Sequence, residues 1–249
     1  WKAVIYDEMD DLARAIPIME QVVKIGKKEK SESLISMYED LAQFYYSDER
    51  YEESDKVYKE MIKLDETQQL PFVGLARNMC KRERFDEALK ILDDCAKLNK
   101  NYYEVYRWQM VAYEGLKDYR KMIDAMMTLF DKSDDTDYIR VSRFKKDYKY
   151  SVAVLKERIA TADDKTLWKM VLTDLYAACS KYSQALSLIN ELNNDNRVDG
   201  ILCQLPVPGH IDKNAVQRIE AGKRFVTDIE LVYLSRVLQL SLEQLLANQ

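Results

Sequence analysis

The chain has 249 residues, with 38 Lys and Arg against 43 Asp and Glu and a formal net charge of −5. That balance argues against broad nucleic-acid binding by the whole chain, though it leaves room for a local basic patch. Apolar residues make up 47% and charged residues 33%, which suffices for a core and argues against disorder.

Only 6 Gly and 4 Pro occur, so few breakers interrupt helices. Cys80, Cys95, Cys179 and Cys203 form no CxxC pair, and His210 is the single histidine. A metal site is therefore not expected, nor is a cofactor, and the cysteines inside helical patterns read as small buried hydrophobes. No run reaches the ~18 apolar residues of a membrane span. With no visible signal peptide, the expectation is a cytoplasmic protein with no membrane partner.

Residues 1–29 read as helix, because Leu12, Ile16, Met19 and Val23 lay one apolar stripe. Gly26 is expected to stop this helix, and Pro17 suits a helix start better than an interior. The segment reads as a degenerate first repeat or a cap.

From Leu34 to Leu129 the pattern repeats. Tyr51, Phe85 and Tyr119 stand 34 residues apart, and each opens a helical segment. Tyr38, Leu41, Ala42 and Tyr45 form the first stripe of the first pair, and Ser54, Tyr58 and Met61 the second. Phe72, Leu75, Ala76 and Met79 then pair with Ala88, Leu92 and Cys95, and Tyr106, Met110 and Tyr113 with Met122, Met126 and Leu129. The small residues at Ala42 and Ser54, and at Ala76 and Ala88, allow paired helices to approach closely. This pattern resembles the tetratricopeptide repeat family at the positions that family reserves for small and aromatic residues. Met110 and Met122 depart from it, since both replace small residues.

Beyond residue 130 the period loosens, with anchors at Tyr150 and Tyr182. Val141, Phe144, Ala153 and Ala160 fit a weak pair, and Leu172, Tyr176, Ala185, Ile189 and Leu192 a better one. A non-repeat helical bundle is the alternative for 130–195.

After Asn193 the character changes. Ile201 to Leu205 is strand-like and ends at Pro206 and Pro208. Leu188 to Asp212, with "ELN", "VDGILCQLPVP" and "HID", is similar to a segment of the methylenetetrahydrofolate dehydrogenase/cyclohydrolase family. The resemblance implies that Gln204 matches a cleft residue of that family, but no Rossmann glycine fingerprint follows, and no catalysis is expected.

Residues 213–249, with "RIEAGKR" and "LSRVLQLSLEQLL", resemble the second half of a lambda-repressor-type helix-turn-helix domain. That resemblance implies base contacts from Asn214, Gln217 and Arg218 and phosphate contacts from Lys223 and Arg224. The same stretch also reads as a helical cap sealing the last apolar face.

The expected architecture is all-α: a TPR-like α-solenoid of antiparallel helix pairs over 1–192, an extended, strand-like linker over 193–212, and a helical C-terminal tail over 213–249. First helices of successive pairs line a groove. Its positions include Glu39, Gln43 and Tyr46, then Val73, Arg77 and Lys81, then Arg107, Val111 and Glu114, then Tyr138, Ser142 and Lys145. Arg77, Lys81 and Arg107 are expected to meet there, with Tyr46, Tyr138 and Lys145 as further contacts, and clustered cations suit an acidic peptide. The same charges also read as a solvated face, paired with Glu104 or Glu114. The function expected is a non-catalytic protein- or peptide-binding scaffold. The alternatives are a regulator whose tail binds DNA and, third, a remnant of a folate-dependent dehydrogenase.

Overall fold

A computed structural model describes residues 2–133, 135–163 and 165–193. The strand-like segment with Cys203, Gln204 and His210, and the tail residues Asn214, Gln217, Arg218, Lys223 and Arg224, lie outside them. The chain divides into two compact units, 1–140 and 141–249. This division falls inside the single 1–192 repeat domain expected from sequence.

The first unit is a run of helix pairs: α1 (Lys2–Glu8) with α2 (Leu12–Glu29), α3 (Leu34–Ser47) with α4 (Tyr51–Leu64), α5 (Leu70–Lys81) with α6 (Phe85–Leu98), and α7 (Glu104–Gly115) with α8 (Tyr119–Ser133). Each pair packs on the next through α2 on α3, α4 on α5, and α6 on α7. The three anchors spaced by 34 residues are the first residues of α4, α6 and α8.

A repeated backbone device makes each pair turn. Glu49, Glu83 and Lys117, also 34 residues apart, sit in the left-handed region with φ of 59°, 58° and 59°. At each turn the third residue beyond the helix returns an N–H across the helix end: Arg50 to the Tyr45 carbonyl at 2.8 Å, Arg84 to Met79 at 2.9 Å, and Asp118 to Tyr113 at 3.0 Å. This closes the orphan carbonyls of the first helix while reversing the chain. The following helix then starts with acids where its dipole is positive, Glu52 and Glu53 in α4 and Asp86 and Glu87 in α6, and ends with Lys63 and Lys97. Arg50 pairs with Glu53 at 2.9 Å, and Arg84 with Glu87 one period later.

Inside each pair the small residues do what their size permits. Ala42, Ser54, Ala76 and Ala88 are all fully buried, and the Ser54 hydroxyl donates to the Ala42 carbonyl at 2.8 Å, tying α4 to α3. Met110 and Met122 are buried as well, so the third pair closes around two flexible thioethers in place of small residues.

The N-terminal segment differs from the sequence expectation. It forms two helices, because Asp10 takes a left-handed φ of 58° and Asp11 caps α2, accepting from the Arg14 N–H. Gly26 does not end α2; the helix runs to Glu29 and stops at left-handed Lys30. A Cβ at that site would lie 2.7 Å from the Met37 sulfur, so the thioether would have to shift to admit one. Pro17 stands inside α2, where the packing of Ala15, Ile16, Met19 and Val23 offsets the missing N–H.

The second unit contains α9 (Val141–Phe144), α10 (Tyr148–Thr161), α11 (Thr166–Ala178) and α12 (Tyr182–Asn193). The expected first helix of the weak pair is reduced to one turn, α9, followed by a 3-10 turn over Lys145–Asp147. Asp147 sets the break by capping α10, accepting from the Tyr150 N–H at 3.1 Å. Ala153 and Ala160 are exposed and do not form the expected stripe; Ser151 and Leu155 are buried instead. Ser151 donates to the Phe144 carbonyl at 2.7 Å, which seats the single turn on α10. The α11–α12 pair follows the expectation, with Leu172, Tyr176, Ala185 and Leu192 buried and left-handed Ser180 (φ 58°) between the helices. Among the described residues, no helix is long and apolar enough to cross a membrane.

Candidate functional site

The 34-residue period aligns Glu39 with Val73 and Arg107, Asp40 with Gly74 and Trp108, and Gln43 with Arg77 and Val111. All but Val111 line one groove across α3, α5 and α7, enclosing about 260 Å³, with Tyr58, Leu70, Tyr102 and Glu104 completing its walls.

Arg77 is the central side chain. Its Nη1 donates to the Gln43 side-chain oxygen at 2.8 Å, and its Nη2 to the Tyr58 hydroxyl at 3.1 Å. The guanidinium lies 3.7 Å from the Tyr46 ring centroid, a stacked cation–π contact. Its Nε is buried without a hydrogen-bond acceptor among the described residues. Burial raises the Tyr58 phenol above its ordinary pKa, with the Arg77 charge opposing, so the hydroxyl remains a neutral partner at physiological pH. Tyr58 fits there because residue 74 is glycine: a Cβ would stand 2.3 Å from the ring carbon Cζ.

Arg107 is already paired, its Nε 3.0 Å from Glu104, while Nη1 donates to the Tyr138 hydroxyl at 3.4 Å. Burial disfavours its charge, but Tyr138 and Glu104 outweigh that and hold its pKa above the usual arginine value. Glu39 and Asp40 make no ion pair among the described residues. Burial pushes both carboxyls up from their ordinary range, helped by Asp40 at Glu39 and by Asp7 at Asp40.

The expected trio therefore comes together only in part. Arg77 and Arg107 line the same groove, whereas Lys81 does not line it; its ammonium lies 5.9 Å from the Tyr46 ring centroid. Tyr46 serves as the stacking face for Arg77, and Tyr138 as an acceptor for Arg107. Lys145 is exposed in the second unit. Asn78, next to Arg77 on α5, is fully buried and donates to Asp55 at 2.9 Å. Trp108 and Tyr102 escaped the sequence reading. The available signal was the alignment of Trp108 with Gly74: where one repeat lacks a side chain, the next supplies a large one.

Among the described residues, no group of three or more His, Cys, Asp or Glu could hold a metal ion. Burial lifts Cys80 and Cys95 to about 11, which leaves both as thiols rather than nucleophiles.

Residues 35–68 match the family model described as Tetratricopeptide repeat, and residues 157–223 that of Tetrahydrofolate dehydrogenase/cyclohydrolase, catalytic domain. The second match begins upstream of the 188–212 segment singled out from sequence. Its relatives include the bifunctional protein FolD of Clostridium novyi (strain NT), 53% identical over 38 residues, which are 15% of this chain and 14% of that protein. Bifunctional protein FolD 2 of Pseudomonas syringae pv. syringae (strain B728a) is 55% identical over 47 residues, 18% of this chain and 16% of that protein. The chain thus spans about a sixth of the length of these relatives or less. In structure, a tetratricopeptide repeat protein from Parabacteroides merdae ATCC 43184 aligns with a TM-score of 0.51 at 12% identity, covering 99% of this chain and 95% of that one. The helix pairs of this chain thus have the tetratricopeptide-repeat fold, and residues 35–68 are similar to a tetratricopeptide repeat.

Proposed function

We propose that the chain is a non-catalytic protein-binding scaffold that holds an extended segment of its partner in the groove of α3, α5 and α7. The observation that carries this reading is the groove itself. Three successive first helices present aromatic and charged side chains to about 260 Å³ of open space, and Arg77 is held in place from three sides. A pre-positioned side chain loses little entropy on binding, so its contacts count towards affinity. An array of stacked pairs suits this use because each pair adds one more row to the same surface.

The test is a display library of random 12-residue peptides panned on the full chain, with the double variant Tyr102→Ala and Trp108→Ala, which strips two groove walls, as the control. Peptides enriched on the native chain and lost on the variant support the reading, provided circular dichroism shows the variant folded. Absence of any enriched peptide refutes it.

A second reading is favoured by the match over 157–223. It makes that segment a folate-contacting piece related to a folate enzyme. It predicts that a folate slows proteolysis within 198–212, and an unchanged cleavage rate there would end it.

A further inference from the structure

The groove is lined by three carboxylates, Glu39, Asp40 and Glu104, and two guanidiniums, Arg77 and Arg107. A sequence reading that counts only the cations expects an acidic peptide. The geometry reverses that. Arg107 and Glu104 satisfy one another at 3.0 Å. Arg77 is engaged on Gln43, Tyr58 and the Tyr46 ring. Glu39 and Asp40 remain, adjacent on α3, with no cation in ion-pair range among the described residues. Arg77 keeps its charge, since its partners are all neutral and its buried Nε lacks an acceptor, but two carboxylates stand against it, so the balance left after the Arg107–Glu104 pair is negative.

Its walls are of a matching kind. Tyr58, Tyr102 and Trp108 bring aromatic surface, and Leu70 and Val73 aliphatic surface, into the same space as the two carboxylates. Aromatic faces attract cations, and a long basic side chain can bury its aliphatic stem on such walls while its charged head meets a carboxylate. A bare metal ion would gain nothing from those walls, and no metal-holding group exists among the described residues. An acidic peptide would meet like charge at Glu39 and Asp40, both of which are solvent-exposed. Burial already holds these carboxyls above their ordinary pKa, and an incoming cation relieves that cost. The net charge of −5 favours the approach of a basic partner.

We propose that the groove recognises a lysine or arginine side chain of the partner, its head on Glu39 and Asp40 and its stem against Tyr58, Tyr102 and Trp108. This rests on the scaffold reading above and names the chemistry that scaffold selects. Arg77 is the positioning residue: it holds Tyr58 through the 3.1 Å hydrogen bond.

The experiment sequences the peptides retained by the full chain in the same display selection, then measures one of them by fluorescence anisotropy against the native chain and the double variant Glu39→Gln and Asp40→Asn. The expected result is a fixed Lys or Arg in the retained peptides and an affinity lower by about tenfold or more in the variant, the size of a lost charge-assisted hydrogen bond. Native affinity should also fall as pH drops through the carboxylate range, and the variant should lack that dependence. Retained peptides without a basic position, or equal affinity for both proteins, would overturn the proposal while leaving the scaffold reading standing. A selection that enriches no peptide overturns both.

Discussion

Replacing Asp55 by Ala tests what joins one repeat to the next. Asp55 lies on α4 and is 7% exposed. One carboxylate oxygen accepts from the Asn78 amide at 2.9 Å, and the other from the Arg82 guanidinium, both partners belonging to α5 or its end. Arg82 also pairs with Glu52 at 2.9 Å, and its side chain is 17% exposed. Removing one member of a buried ion pair costs about 3–5 kcal/mol when the other is stranded. Here Arg82 keeps Glu52 and some solvent, which lowers that term. Against this, Asn78 is fully buried and would retain only a 3.4 Å contact to the Tyr51 carbonyl, a loss of about 1–3 kcal/mol. The sum is about 2–4 kcal/mol, charged to the α4–α5 junction.

Native-state hydrogen exchange is the assay, because a stacked array opens locally and a single unfolding free energy misrepresents it. Amides of α4 and α5 should lose about 2–4 kcal/mol of protection while those of α11 stay unchanged. A double-mutant cycle with Arg82→Ala should show coupling above about 0.5 kcal/mol. A loss below about 1 kcal/mol, or additive single variants, would refute the claim that this network holds the repeats together.

Other outcomes follow from the same geometry. Gly74→Ala should destabilise by about 1–3 kcal/mol in urea denaturation, since the new Cβ meets the Tyr58 ring at 2.3 Å, and it should weaken any groove ligand as the ring moves. Glu83→Gly should stabilise by up to about 1 kcal/mol, because φ of 58° costs an L-residue what glycine avoids; a loss of stability would show that the unfolded-chain entropy of glycine dominates. Iodoacetamide at pH 8 should leave Cys80 and Cys95 unmodified in the native chain. Burial raises both thiols to about 11, so the thiolate becomes abundant only near that pH, and rapid labelling at pH 8 would contradict it.

The helix pairs between residues 34 and 129 were legible because their information is local and repeated. An aromatic every 34 residues, small residues facing each other and apolar stripes at helical spacing each demand the same local conformation, and each opens or packs a helix where expected. The segments that misled were those where a single residue outvoted the pattern. Left-handed Asp10 split the first helix, Gly26 packed beside a neighbouring methionine rather than ending a helix, and Asp147 ended a helix that the stripe of Val141 and Phe144 had begun.

The groove divides in the same way. Periodicity alone placed Glu39, Gln43, Arg77 and Arg107 on one surface, because position within a repeat determines which face a residue occupies. Which charges are spent and which remain was decided only in three dimensions. Arg107 and Glu104 neutralise each other one helical turn apart, Arg77 is drawn to Tyr58 from the neighbouring helix, and Glu39 and Asp40 are left facing the groove. Charge is additive along a sequence, but its effect depends on distance and burial, and those belong to the packed helices.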